Sequence, residues 1–256
     1  MVYGQWLKHL VKKGNIVIFP KYQKNLSTPM TRRFDDFAIR AIENAYAELK
    51  SGDHVRPNES PLCMVGHSFG GAIIAKLLQD QGDYDFPKPA AAMLVSPGTG
   101  PFRKFEYADY SNISSDVNLL VMVSAGDLTV GDGFGEKVFN TAVNTPKRNL
   151  IRQFGDKHGV PKIKDSHNES YAKDKTFDSG RHGYSYLRAR KSRTDPVDYN
   201  GYWKLFDALL DCTRTQQNCH IAFGDTPEQR SLGVWSDGNP IRELDVTLPE
   251  NWKIWY

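Results

Sequence analysis

Leu62-Cys63-Met64-Val65-Gly66-His67-Ser68-Phe69-Gly70-Gly71-Ala72 decides the reading of this chain. Four apolar residues run into a G-x-S-x-G element, and a helical apolar pattern, Ala72-Ile73-Ile74-Ala75-Lys76-Leu77-Leu78, follows at once. A short continuous apolar run reads as a strand buried on both faces. A serine between such a strand and a helix sits on a sharp turn that pushes its hydroxyl outward. The turn needs small neighbours, which Gly66 and Gly70 supply, while Gly71 and Ala72 let the helix lie close to the sheet. A serine hydroxyl by itself is a weak nucleophile, so a histidine and a carboxylate are expected further along.

The same grammar recurs outward from this stretch. Apolar runs at 16–19, 90–95, 119–124 and 150–154 each end in Pro, Gly or Asp, and read as further buried strands. Between them lie helical patterns. Val2, Trp6, Leu7, Leu10 and Val11 recur at helical spacing before Gly14; residues 31–49 carry an amphipathic stripe, and residues 202–210 another. Strands alternating with helices predict an α/β fold, a mostly parallel sheet covered by helices on both faces. The chain of 256 residues is read as one domain, with 157–200 a long loop or cap excursion after the last core strand. Ligands of such sheets gather at the carboxyl ends of the strands.

Composition narrows the classes. A net charge of +3 is too small to imply a nucleic-acid partner, and no stretch approaches the ~20 apolar residues of a membrane span. No His or Cys spacing resembles a metal site, and Ser96-Pro97-Gly98-Thr99-Gly100 lacks the lysine of a phosphate loop, so no cofactor is expected. Of the three cysteines, Cys63 reads as a small apolar residue of its strand. Cys212 and Cys219 flank a short polar loop and either form a local disulfide, pointing to an extracytoplasmic compartment, or stay as two thiols.

Asp127 and Asp132 both follow the run 119–124; Asp127 lies nearer its end and ranks first as the carboxylate. Seven histidines compete for the base. His9 and His54 precede the elbow, His67 lies inside it, and His220 opens a late segment. Of the remaining three, His158 directly follows the run 150–154 on a short loop and ranks first. His182 ranks second, and His167 reads as a supporting polar contact.

The order Ser68, Asp127, His158, with the elbow and the Gly126-Asp127-Leu128-Thr129-Val130 loop, resembles the α/β-hydrolase superfamily on its esterase and lipase side. The resemblance covers residues 1 to about 212. It implies hydrolysis of a small-molecule carboxylic ester through an acyl-enzyme, with Ser68 as nucleophile, His158 as base, Asp127 behind it and the Phe69 backbone N–H as oxyanion donor. Acyl transfer, thioester cleavage or peptide cleavage could use the same residues. The family also places strands, and a loop donating a second oxyanion N–H, ahead of the helix that begins near Val2. Here only one predicted strand precedes the elbow strand. The expectation is therefore a fragment of a longer protein, a shortened sheet, or an inactive relative serving as a binding module.

Overall fold

In the computed structural model, which describes residues 2–23, 31–100, 106–174, 176, 193–250 and 252–254, four of the five predicted strands form. They are β1 (Leu62–His67), β2 (Pro89–Val95), β3 (Asn118–Ser124) and β4 (Arg148–Gln153), each parallel to the next. A short fifth strand, β5 (Asp245–Thr247), adds antiparallel to β4, giving the order β1-β2-β3-β4-β5. The fold is thus α/β with a mostly parallel sheet.

Alternation along the central strands divides the core in two. Ala91, Met93, Leu120 and Met122 face α1 (Gly4–Lys12) and a later helix; Ala92, Leu94, Leu119 and Val121 face α2 (Phe34–Lys50), α3 (Phe69–Asp80) and α4 (Gly133–Thr141). The later helix, α5 (Lys204–Thr215), follows a π-helical stretch, Asp198–Trp203. Every residue of β3 is buried, as a strand covered on both faces requires. Cys212 at the end of α5 is joined to Cys219 by a disulfide, with the two Cα atoms 4.7 Å apart. Among the described residues no helix is long and apolar enough to cross a membrane.

The run 16–19 departs from expectation. It takes no regular secondary structure and joins no strand ladder, with Ile16 40% and Phe19 50% exposed. Between it and the outer edge of β1 lies a cavity of about 510 Å³, walled by Ile18, Cys63, Val65, Ile42, Tyr46 and Leu210. An apolar run encodes a preference for burial, but strand formation needs a neighbouring backbone to pair with. Among the described residues β1 offers its ladder to β2 only. The same gap borders α2 at Ile42 and Leu49; the predicted inner stripe of that helix is fully buried only at Phe34 and Ala38.

Candidate functional site

The serine comes first because the backbone positions it. Ser68 links β1 to α3 with φ 57° and ψ −124°, outside the comfortable range of an L-residue. Such strain persists only where surroundings over-determine it. Here Ser68 N–H donates to the Val95 carbonyl (2.9 Å), and the Ser68 carbonyl accepts from Gly71 N–H (3.0 Å) and Gly98 N–H (3.2 Å). The glycines answer to packing. A Cβ on Gly66 would stand 2.6 Å from the Gly70 backbone, and one on Gly71 would meet Pro97 at 2.8 Å. Close approach of strand to helix therefore demands glycine at 66 and 71, while a Cβ at 70 would meet nothing nearer than the Tyr22 hydroxyl at 3.8 Å.

Asp127 follows β3, where sequence reading places the carboxylate. Its side chain is fully buried. Oδ1 accepts the backbone N–H groups of Thr129 (2.8 Å) and Val130 (3.1 Å). Oδ2 accepts from His167 Nδ1 at 2.7 Å. Burial pushes this carboxyl upward, but the His167 hydrogen bond and charge and the two amides outweigh it, and the net shift is downward. Asp132, the second-ranked acid, is engaged elsewhere: it pairs with Arg152 at 2.5 Å.

The histidine beside Ser68 is the correction. His158 does not reach Ser68; its Nε2 lies 2.7 Å from Asp237 Oδ2, and its ring is about half exposed beside Trp235. His167, read from the sequence as a supporting contact, takes the place expected of His158, with Nε2 2.9 Å from Ser68 Oγ. The proton roles follow from the partners. An ionised Asp127 only accepts, so Nδ1 of His167 carries the hydrogen and Nε2 presents a lone pair to the Ser68 hydroxyl. The imidazole is 10% exposed against 0% for the carboxylate, so the acid end is the dry one, and Ser68 at the other end is half-buried. A hydroxyl in reach of a neutral imidazole that is backed by a buried carboxylate can be deprotonated as it attacks an electrophilic carbon. His182 lies outside the described residues.

Sequence reading misses His167 because four histidines follow β4, three of them within the next thirty residues, and nothing in local composition tells which loop folds back. The segment returns through an antiparallel bridge between Asp156 and Ile163, which the sequence does not announce. Phe69, read from the sequence as the oxyanion donor, opens α3, its ring edge-on to Phe34 at 5.0 Å. Among the described residues no cluster of three His, Cys, Asp or Glu side chains could hold a metal.

Two residues past His167, Glu169 belongs to a buried acidic group with Asp195 and Asp198. Glu169, Asp195 and Asp198 are all raised, burial being the largest cause for each, and Asp198 reaches about 8. Asp198 is fully buried; its Oδ2 accepts from Asp195 N–H at 2.9 Å, while Oδ1 makes no hydrogen bond among the described residues. A carboxyl raised on folding binds more protons folded than unfolded, so stability is fully present below about pH 4 and is lost as pH rises through about 8. Asp198→Asn keeps the acceptor and removes the ionisation. Thermal melts should show parent and variant within ~1 °C at pH 4. At pH 8.5 the variant should gain about 2 kcal/mol, or ~4–8 °C. Equal melting temperatures at both pH values would contradict this assignment.

No protein-family model matches the chain, and a search of curated proteins finds no match to it.

Proposed function

We propose that the protein is a serine hydrolase of the α/β-hydrolase type that cleaves carboxylic esters. The observation that carries this reading is the hydrogen-bonded chain Ser68–His167–Asp127, with its serine on a strained strand-to-helix turn. In it, Ser68 Oγ attacks the ester carbonyl carbon as its proton passes to His167 Nε2. The carbonyl oxygen becomes an oxyanion that the Phe69 N–H stabilises. Collapse breaks the bond to the alkoxy group, which leaves with the proton from His167, and the acyl group stays on Ser68. Water then attacks this acyl-enzyme, giving its proton to His167, and the acid departs as Ser68 Oγ takes that proton back. The buried Asp127 holds the imidazole in the required tautomer and stabilises the imidazolium.

A second reading, a binding module without turnover, is favoured by a different observation. Among the described residues β1 pairs on one side only, and the cavity beyond it borders that edge of the sheet beside the elbow. Labelling with a fluorophosphonate followed by peptide mass spectrometry separates the two. The hydrolase reading expects one adduct, on the peptide containing Ser68. A folded chain without an adduct would favour the binding module.

A further inference from the structure

The segment that carries His167 is docked on the amino-terminal turn and on the elbow itself. His67 Nε2 lies 2.7 Å from the His167 backbone carbonyl, and His67 Nδ1 lies 2.7 Å from the Tyr3 hydroxyl. The carbonyl can only accept, so Nε2 of His67 carries the hydrogen; Nδ1 then accepts from the Tyr3 O–H. Neighbouring contacts repeat the theme. Gln5 N–H donates to the Ala172 carbonyl at 2.9 Å, and Tyr171 packs edge-on against both Tyr3 and His67. The two imidazoles themselves sit 4.6 Å apart. Burial and the nearby His167 push His67 down to about 3, so it stays neutral and the donor–acceptor pattern holds.

We infer that Tyr3 and His67 form a positioning pair that fixes the backbone of His167 and so sets its ring between Ser68 and Asp127. This rests on the hydrolase reading of the same site. The physical reason is leverage: the described backbone around 164–172 belongs to no helix or strand, so the placement of the base depends on point contacts to other elements. One of those comes from the residue immediately before the nucleophile, so one turn places nucleophile and base together. A shift of the base by about 1 Å costs on the order of a hundredfold in rate.

The test uses His67→Ala, His67→Gln and Tyr3→Phe in the full chain. Turnover of a p-nitrophenyl ester and the downfield proton resonance of His167 Nδ1–H are read side by side. Glutamine can donate from nearly the same point as Nε2, so it should hold the carbonyl. His67→Ala should lower kcat about a hundredfold with KM within threefold, and should broaden or shift the resonance. His67→Gln should recover at least tenfold of that loss and restore the resonance. Tyr3→Phe should fall between them. A His67→Ala chain with parental kcat and an unshifted resonance would overturn the proposal, as would a parent in which the resonance is missing. Where His67→Ala fails to fold, Tyr3→Phe at parental kcat and resonance overturns it equally. A parent that shows the resonance but hydrolyses no ester refutes the hydrolase reading alone, because the resonance then still tests the positioning pair.

Discussion

His167→Ala is expected to lower kcat on an activated ester by about a millionfold, into the range of a Ser68→Ala chain, while His158→Ala stays within twofold of the parent. The size follows from how the groups act. Ser68, His167 and Asp127 form one hydrogen-bonded unit, and removing the proton acceptor disables the nucleophile as thoroughly as deleting it. The double variant Ser68→Ala/His167→Ala should be no slower than either single one. His158 supplies the contrast within the same chain. Its ring pairs with Asp237 and its backbone N–H donates to Asp156 Oδ1 at 2.9 Å, so alanine there removes an exposed pair. Such pairs contribute at most about 1 kcal/mol to stability. Burst kinetics with a p-nitrophenyl ester would check both. A large loss in His158→Ala with none in His167→Ala would reverse the assignment of the base.

Asp127→Asn is expected to lower kcat by about 10⁴ while leaving the fold and KM nearly unchanged. The argument is one of hydrogen positions. Oδ1 of Asp127 accepts two backbone N–H groups, and only an oxygen can occupy that place. An asparagine would therefore keep its carbonyl oxygen there and turn its NH₂ toward His167 Nδ1. Nδ1 must then accept, the ring hydrogen moves to Nε2, and the imidazole meets the Ser68 hydroxyl with a donor where a lone pair is needed. Asp132→Asn tests the alternative acid. Asp132 faces Arg152, which Glu136 also holds at 2.7 Å, so the rate should stay within threefold. The measurement is kcat/KM across pH 5–9 for both variants. A modest effect at 127 beside a large one at 132 would move the carboxylate to Asp132.

The sequence by itself determined what local rules can encode. A continuous apolar run specifies a buried strand, and four of five such runs take that form. Gly66 and Gly71 are dictated by how closely strand and helix meet, so the elbow and Ser68 are readable from a dozen residues. Asp127 is readable because it lies within three residues of a strand end, where position is inherited from the sheet. Tertiary structure decided the rest. The run 16–19 has the composition of a strand, but pairing depends on a backbone neighbour that hydropathy cannot specify. The base is the sharper case. His158 satisfied the local rule by following β4 closely, yet His167 meets Ser68 because the chain doubles back at the Asp156–Ile163 bridge and is held by His67, a hundred residues earlier. Contacts at that separation have no signature in either segment alone, because a hydrogen bond is fixed by where two backbones end up rather than by the residues beside them.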